Sequence, residues 1–321
     1  MATHPQSEPG TPRHPIQVVA RRTGLTPDAL RAWEKRYRAV TPSRAAGGRR
    51  LYSDLDVERL LLLRRATGAG RRIGQVATLT TDALRDLVRQ DEQAIADAPA
   101  NRARARPAGS PADMHLEECY RAVKLLRADA LETALDDARV ELSLPVLIEQ
   151  VVSPLLERIG EGWKTGSLRI AGEHMASAIV RSLLGVLMRS GTRSAGQPTM
   201  VVATPAGQVH ELGALMASLT AAEDGWRVSY LGPNLPAEDI AAAAREAGAR
   251  CLALSIVFPA DDPKLPDELR RLRRVLEDDV QILVGGRASS RYHEVFQEIG
   301  ARRLSALGDL RDELQLLRVH A

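Results

Sequence analysis

The residues best suited to chemistry lie in the C-terminal half, where one histidine stands among glycines and hydrogen-bonding side chains. Imidazole is a good nitrogen ligand for a mid-series transition metal. Glycines let a bulky, flat group lie against the backbone, and a serine hydroxyl can hydrogen-bond to it. A lone histidine in an α/β domain is more often a packed polar residue, so its neighbours carry the prediction of a metal-centred cofactor site. The set, with His210 as the metal ligand, is Gln208, His210, Glu211, Gly213, Ser255, Val257, Gly285 and Gly286.

A second pattern lies upstream, where Trp163 is followed by the pair Glu173 and His174. Along one unbroken helix, Trp163 and Glu173 would be about 15 Å apart, too far to act together. Gly166 and Gly172 interrupt the stretch, so we expect Trp163 to end one helix and Glu173 to begin the next. The loop between them can then bring both side chains to one surface. The alternative is a core tryptophan and an acidic residue favoured by the helix dipole.

Strands and helices alternate five times after residue 196, and this alternation must position the residues around His210. Short, nearly all-apolar strands between helices predict a doubly wound, flavodoxin-like parallel five-stranded sheet over 197–321. Ligands bind beyond the carboxyl ends of such strands, and His210, Ser255 and Gly285 fall at or just after predicted strand ends. The predicted strands are 199–203, 228–231, 251–255, 280–284 and a weaker 303–306, and the predicted helices are 211–224, 236–247, 266–278, 290–299 and 309–318.

The chain before the sheet divides into four parts, so the predicted fold class is multidomain, α followed by α/β. Residues 1–13 are rich in Pro, Gly and Ser and are expected to be a disordered tail. Residues 14–95 read as a compact helical domain, and 96–113 as a flexible linker that lacks an apolar period. Across 114–192 apolar residues recur at three- and four-residue spacing, which predicts a bundle of about four helices.

The N-terminal domain carries the signals of a winged helix-turn-helix. A first helix is expected to end at Gly24, and Thr26, Pro27 and Asp28 are suited to the cap, first position and first turn of a second. The second helix of this motif enters a major groove. The glycine-containing loop 41–52 suits a wing whose arginines reach phosphates or a minor groove. Residues predicted to bind double-stranded DNA are Thr26, Arg31, Trp33, Lys35, Arg36, Tyr37, Arg44, Arg50 and Tyr52.

Charge is distributed unevenly along the chain. Residues 1–113 contain 20 Lys and Arg against 12 Asp and Glu, a balance of +8, whereas the remainder has 24 against 29, a balance of −5. A basic front on an acidic body predicts that the polyanion-binding surface is confined to the front. The alternative is a solvated arginine-rich face.

The composition indicates where in the cell the protein is expected and what its cysteines can do. Cys119 and Cys251 are too few and too far apart for a disulfide framework or a metal-ligand cluster, so both are expected to be buried thiols. No apolar stretch approaches the roughly 20 residues of a membrane-spanning helix. The N-terminal residues lack the layout of a secretory signal. We therefore expect a cytoplasmic protein with no membrane contact.

The N-terminal motifs resemble the MerR family of winged-helix regulators. The resemblance covers roughly residues 15–85. Members bind as dimers and read operators partly through DNA distortion, so it implies a pseudo-palindromic operator and a homo-oligomer, a dimer or a tetramer. For Trp33 and Tyr52 the alternative is a role in the small domain's core. Helix and wing match in order through Arg31-x-Trp33-Glu34-x-Arg36-Tyr37, Arg44, Gly48-x-Arg50-x-Tyr52 and Asp56-Val57.

The pattern around His210 strongly resembles the cobalamin-binding domain of corrinoid methyltransferases and mutases. In that family the histidine displaces the cofactor's own dimethylbenzimidazole base, which inserts beside the sheet. The resemblance implies that His210 holds cobalt from below. Two positions depart from the pattern. Gln208 replaces the usual acid, and its amide can accept the imidazole N–H with less electrostatic help. Val257 stands where the family's serine motif has leucine.

Trp163, Glu173 and His174, placed just before such a domain, resemble the light-sensing MerR-type repressors that bind adenosylcobalamin. The resemblance implies that Trp163 packs against the adenosyl group and that Glu173 hydrogen-bonds its hydroxyls, with His174 alongside. Some light-sensing members have a histidine directly after this tryptophan. Here the residue is Lys164, so the fate of the photoproduct does not carry over.

Together these patterns predict a non-enzymatic, light-responsive transcriptional repressor. Adenosylcobalamin held between bundle and sheet would control oligomerisation and operator binding. Two alternatives remain open. One is a corrinoid enzyme component, such as a methyl carrier or a mutase-like protein. The other is a MerR regulator that does not use cobalamin.

Overall fold

The structure is a computed structural model that describes residues 10–45, 48–68, 71, 73–96, 109–189 and 196–319. The chain divides into two compact units, Met1–Ile179 and Val180–Ala321. Most of the predicted tail and linker lies outside the described residues, as does Gly47 of the predicted wing.

The N-terminal domain is a winged helix-turn-helix, as the sequence predicts. Its three short strands form an antiparallel sheet in the order β1-β3-β2, and the hairpin of β2 and β3 is the wing. The elements are β1 (His14–Pro15), α1 (Ile16–Thr23), α2 (Pro27–Tyr37), β2 (Ser43–Arg44), β3 (Arg50–Tyr52), α3 (Asp54–Gly68), α4 (Ile73–Val76) and α5 (Thr81–Ala96).

The turn between α1 and α2 forms through the residues that the sequence indicates. Gly24 adopts a left-handed conformation with φ of 68° and donates its N–H to the Ala20 carbonyl at 2.8 Å, which ends α1. The Thr26 hydroxyl accepts the Ala29 N–H at 3.1 Å, and Pro27 occupies the first turn of α2. The direction of α2 is therefore fixed by local chemistry.

The middle of the chain is a bundle of four helical rods, which also confirms the prediction. A π-helical segment, Leu147–Val152, joins α8 to α9 in one rod. The first rod begins with a capping box, in which the Ser110 hydroxyl accepts the Asp113 N–H and the Asp113 carboxylate accepts the Ser110 N–H, both at 3.2 Å. The helices are α6 (Pro111–Lys124), α7 (Ala128–Glu141), α8 (Leu144–Val146), α9 (Ser153–Lys164) and α10 (Ile170–Arg189).

Helix α10 corrects one expectation. It has 20 residues and is long and apolar enough, by length and composition, to cross a membrane. Its buried residues Ala176, Val180, Leu184 and Leu187 recur at three- and four-residue spacing, as in a helix with one face in a protein core. Ile179, Leu183 and Val186 lie between them and raise the mean hydropathy of the whole helix. A single helix of this kind is weak evidence for a membrane span.

The second unit is a parallel five-stranded sheet in the order β5-β4-β6-β7-β8 with helices between the strands. This order confirms the predicted flavodoxin-like, doubly wound fold. The elements are β4 (Thr199–Pro205), α11 (Leu212–Glu223), β5 (Arg227–Leu235), α12 (Ala237–Ala247), β6 (Ala249–Ser255), α13 (Leu265–Val275), β7 (Gln281–Gly285), α14 (His293–Glu298), β8 (Arg302–Arg303) and α15 (Leu307–Val319).

The three central strands, β4, β6 and β7, bury side chains on both faces, which is why they read as apolar runs. Val201 packs into a core with residues of α12 and α13, whereas its neighbours Met200 and Val202 pack into a second core with residues of α11 and α15. Burial raises the pKa of the Cys119 thiol to about 12 and that of the Cys251 thiol further. Both cysteines are therefore inert buried thiols, as expected.

The last strand is shorter than the sequence suggests, 302–303 instead of 303–306. The Asp309 carboxylate accepts the N–H groups of Ser305 and Ala306 at 2.8 and 3.0 Å. These bonds take the chain out of the sheet and into the start of α15. The Asp309 carboxylate thus competes with the sheet for backbone N–H groups, which the periodicity of apolar residues does not indicate.

Candidate cofactor site and nucleic-acid interface

The loop between β4 and α11, which carries His210, is built around a buried amide. The Gln208 Oε1 accepts the N–H groups of Val257 and Phe258 at 2.9 and 3.1 Å, and Nε2 donates to the Pro259 carbonyl at 3.2 Å. Both polar atoms of the Gln208 side chain are thus engaged by the loop after β6. The structure gives Gln208 a role different from the expected one, since it ties two loops together instead of accepting the imidazole N–H.

His210 is exposed, so it is not a packed core histidine. Its ring meets the ring of Phe258 edge-on, with 5.6 Å between centroids and 77° between planes. Among the described residues, none hydrogen-bonds to the His210 ring. The imidazole therefore lies at the carboxyl edge of the sheet with its nitrogen atoms available to a ligand.

Ser255 and Gly213 form a cradle beside the sheet. Ser255 ends β6, and its hydroxyl is buried with no hydrogen-bond partner among the described residues. A Cβ added at Gly213 would lie 2.7 Å from this oxygen and 3.9 Å from Val257 Cγ2. Buried polar groups are normally satisfied. A side chain at Gly213 would displace this hydroxyl, so the glycine is what allows α11 to begin this close to the end of β6.

The two adjacent glycines after β7 differ in what surrounds them. A Cβ added at Gly285 would meet no atom within 4 Å, so this backbone is open to a ligand. Gly286 has φ of +96°, and its Cβ would lie 2.3 Å from the Ile256 carbonyl oxygen. Gly285 can therefore serve a binding site, whereas Gly286 is required by the fold itself.

Glu211, which follows the histidine, is clamped by two residues of the same unit. Its carboxylate accepts hydrogen bonds from the Arg181 guanidinium and the Tyr230 hydroxyl. Burial favours a raised pKa for Glu211, but the two hydrogen bonds and the Arg181 charge outweigh it and hold the pKa below its ordinary value. Burial, together with the hydrogen bond to Glu211, raises the pKa of Tyr230. An ionised Glu211 thus anchors the start of α11.

The upstream pair lies at successive helix ends, as the sequence predicts, with Trp163 near the end of α9 and Glu173 in the first turn of α10. Gly172, however, lies inside α10 and does not interrupt it. Trp163 is 46% exposed, which excludes a core role for its side chain in this unit. The Glu173 carboxylate accepts from the Ser177 hydroxyl at 2.9 Å and lies 2.6 Å from His174 Nδ1. Ser177 was not predicted, although its position four residues after Glu173 places it on the same helix face.

Exposed apolar side chains cluster at this end of the bundle. Leu125 and Leu126 follow α6 and Ile170 begins α10, and all three are exposed together with Trp163. A Cβ added at Gly172 would lie 3.5 Å from Leu126 Cδ2, so the two helix ends are neighbours. We call Leu125, Leu126, Trp163 and Ile170 the apolar end of the bundle. Exposed apolar side chains at neighbouring helix ends are a candidate surface for a ligand or a partner.

The predicted DNA-binding residues fall into two groups. Arg31, Lys35, Arg36 and Arg44 are exposed, while Thr26 caps α2, Tyr37 is half-buried, and Arg50 bonds to the Glu34 carboxylate at 2.6 Å. The Arg50–Glu34 pair connects the wing to α2. The exposed group is therefore suited to contact phosphates, and Arg50 is already engaged in positioning the wing.

Trp33 and Tyr52 belong to the core of the N-terminal domain, which favours the structural alternative for both. Each is almost wholly buried. The Tyr52 hydroxyl has no hydrogen-bond partner among the described residues, and burial raises its pKa to about 12. In this conformation neither side chain is placed for a direct contact with DNA.

Helix α2 also contacts α7 of the bundle, within the first unit. The Trp33 indole N–H donates to the Val140 carbonyl at 2.7 Å. At the periphery Arg36 lies 3.3 Å from Asp137, and Arg139 lies 3.8 Å from the Asp28 carboxylate. These contacts join residues more than 100 positions apart, and no local sequence pattern indicated them. They engage Arg36, one of the predicted DNA-binding residues.

Comparisons with protein families agree with the fold of each part of the chain. The model of the MerR HTH family of regulatory proteins matches residues 15–82, and two models of B12 binding domains match residues 115–188 and 198–303. The solved structure of the monomethylamine corrinoid protein of Methanosarcina barkeri aligns with a TM-score of 0.53 and 17% identity. It covers 64% of this chain and 99% of that chain, which supports the fold of the two C-terminal domains.

Two curated relatives extend over almost the whole chain. The HTH-type transcriptional repressor CarH of Myxococcus xanthus is 30% identical over 283 residues, which are 88% of this chain and 91% of that protein. The repressor CarA of the same organism is 28% identical over 295 residues, 89% and 91% of the two chains. Dimethylamine corrinoid protein 1 of Methanosarcina acetivorans is 26% identical over 53% of this chain and 82% of its own length. The chain therefore belongs to the family of cobalamin-binding, MerR-type transcriptional repressors that includes CarH and CarA.

Proposed function

We propose that this chain is a cytoplasmic repressor that senses light through adenosylcobalamin and binds its operator as an oligomer. The exposed Trp163 carries the proposal. A tryptophan with only a packing role would be buried, whereas Trp163 is 46% exposed and belongs to the apolar end of the bundle. This surface suits an apolar ligand group. Glu173, held by Ser177 and His174, offers carboxylate oxygens to the hydroxyls of an adenosyl group.

We propose that residues of the sheet domain would hold the other face of the cofactor. His210 would hold the cobalt, and the Ser255 hydroxyl would meet the displaced base of the cofactor. Gly285 would leave the backbone open to the tail that carries this base. The unpartnered Ser255 hydroxyl and the open space at Gly285 support this fit. When bound, adenosylcobalamin supplies a cobalt–carbon bond that visible light can break.

Regulation would follow from linkage between cofactor binding and assembly. A ligand that binds one assembly state more tightly shifts the population towards that state. With the adenosyl group present, Trp163 would be covered, and the oligomer that engages the operator would be favoured. DNA-binding domains that are weak individually then act together. After illumination Trp163 would lose this packing, and the oligomer would dissociate. No catalytic turnover is part of this scheme.

Size-exclusion chromatography of apo, dark cobalamin-loaded and illuminated protein tests the proposal. We expect a larger species only in the dark with adenosylcobalamin, and operator binding only by that species. Trp163→Ala should elute as the apo protein does under all three conditions, because it removes the packing surface. Lys164→Ala is the matched control, since this neighbour contacts Glu161 at 2.9 Å. Identical elution of the wild type in all three states would contradict the proposal.

The contacts between α2 and α7 lead to a separate prediction. For α2 to read DNA, Arg36 must leave Asp137, so Asp137→Arg should favour release of the helix. An exposed pair is worth up to about 1 kcal/mol, so affinity for DNA should rise about two- to fivefold in a fluorescence-anisotropy titration. Glu132→Arg adds the same charge at an exposed position of α7 and controls for attraction to DNA. Equal gains in both variants would show that the contact does not restrain α2.

A further inference from the structure

We propose that Phe258 is a positioning residue for His210 and that the Gln208 amide holds Phe258 in place. The inference deepens the proposed function, since it concerns how this chain presents its imidazole to cobalt. It also predicts that the acid usual at position 208 would weaken cobalt ligation in this chain. If Gln208 were only a weaker hydrogen-bond acceptor for the imidazole, the acid would instead strengthen cobalt ligation.

The hydrogen bonds of Gln208 require an amide. Its Oε1 accepts two backbone N–H groups, from Val257 and Phe258, while its Nε2 donates to the Pro259 carbonyl. A carboxylate can accept the first two bonds, but it has no hydrogen for the Pro259 carbonyl and would place two acceptors face to face. Gln208 is fully buried, so water cannot relieve the mismatch. The amide is therefore complementary to this loop, and a carboxylate is not.

The backbone of Gln208 also connects the loops after β4 and β6 to the end of β5. Its N–H donates to the Pro205 carbonyl at 3.0 Å, and its carbonyl accepts the Asn234 N–H at 3.1 Å as well as the Thr204 hydroxyl. The ends of β4, β5 and β6 thus meet at one buried residue. Disturbing its side chain moves the loop that carries Phe258 relative to the loop that carries His210.

The His210 ring has the ring of Phe258 as its aromatic neighbour. Phe258 meets it at 77° with 5.6 Å between centroids, the edge-on geometry that aromatic pairs prefer. The contact limits rotation of the imidazole without adding charge. A ligand oriented in this way is less basic than one that donates its second N–H to a carboxylate. We therefore expect a histidine ligand that is fixed in direction but modest in strength.

The test uses full-length protein labelled with ¹⁵N-histidine and loaded with cobalamin reduced to its paramagnetic divalent state. Electron paramagnetic resonance then reports whether the axial nitrogen comes from the protein or from the cofactor's own base. We expect the wild type to show the histidine signal and His210→Ala to lose it. In Phe258→Leu the ratio of histidine-bound to base-bound cobalamin should fall about two- to tenfold, the worth of an aromatic pair. Phe258→Tyr should restore it.

Gln208→Glu and Gln208→Asp complete the test, with thermal melting as the control for folding. We expect both to lower the histidine-bound fraction. A rise in that fraction would overturn the inference, as would a Phe258→Leu spectrum equal to that of the wild type. The proposed function survives either result as long as the wild type binds cobalamin through His210. If the wild type takes up no cobalamin, or if His210→Ala gives the wild-type spectrum, both the lower-face assignment and the inference fail.

Discussion

Replacing Gly286 with alanine is expected to destabilise the sheet domain by about 3 kcal/mol or more. A residue with a side chain is strained at φ of +96°, and the new Cβ would lie 2.3 Å from the Ile256 carbonyl oxygen. That oxygen cannot move freely, because it accepts the Ala288 N–H at 3.1 Å while the Ile256 N–H donates to the Gly285 carbonyl at 2.9 Å. Urea denaturation followed by circular dichroism measures the loss.

The neighbouring glycine is the matched control. Gly285→Ala adds the same methyl group one residue earlier, where no atom lies within 4 Å. Its unfolding midpoint should stay close to that of the wild type, while its retention of cobalamin should decrease if a ligand occupies the open space. Equal destabilisation by the two substitutions would contradict the assignment of Gly286 to the fold and Gly285 to the site.

The second large effect is expected from His210→Ala, which removes the only side chain that we assign to cobalt. Even the loss of an outer partner of a metal ligand commonly costs ten- to a hundredfold in affinity, so the loss of the ligand should weaken cobalamin binding at least about tenfold. Stability should hardly change, because the imidazole is exposed and lacks hydrogen bonds among the described residues. Equilibrium dialysis against adenosylcobalamin in the dark measures the affinity.

His293→Ala is the control for this experiment. His293 lies at the start of α14 in the same unit and is exposed, with its ring 3.2 Å from the Gln297 amide. We expect its cobalamin affinity to match that of the wild type. If the cobalamin affinity of His210→Ala also matched that of the wild type, the protein would not hold the cofactor through this imidazole. The cofactor would then be bound with its own base on the cobalt.

The fold could be predicted from the sequence because its signals are local and repeated. The central strands of the sheet are short apolar runs bounded by turn residues. The Gly24 N–H and the Thr26 hydroxyl fix the helix-turn-helix through local capping bonds. The exception is the hydropathy of α10, because apolar residues outside its buried face make the helix as apolar as a membrane span.

The site was only partly predictable, for a different reason. The sequence singled out His210 and Gly285 by residue type and spacing, but it did not indicate the backbone partners of Gln208. The amide bonds to backbone groups almost 50 residues away, and the pattern of side chains carries no information about backbone donors. Phe258 was missed because an exposed aromatic residue outside any motif looks incidental until its ring is seen against the histidine.

The most direct test of the account is retention of the cofactor by the full chain. The protein is soaked with adenosylcobalamin in the dark, dialysed exhaustively, and examined by visible absorption. We expect a stoichiometric amount of cobalamin with a spectrum that differs from that of the free coenzyme and changes on illumination. A colourless protein after dialysis would contradict the proposal that this chain holds adenosylcobalamin.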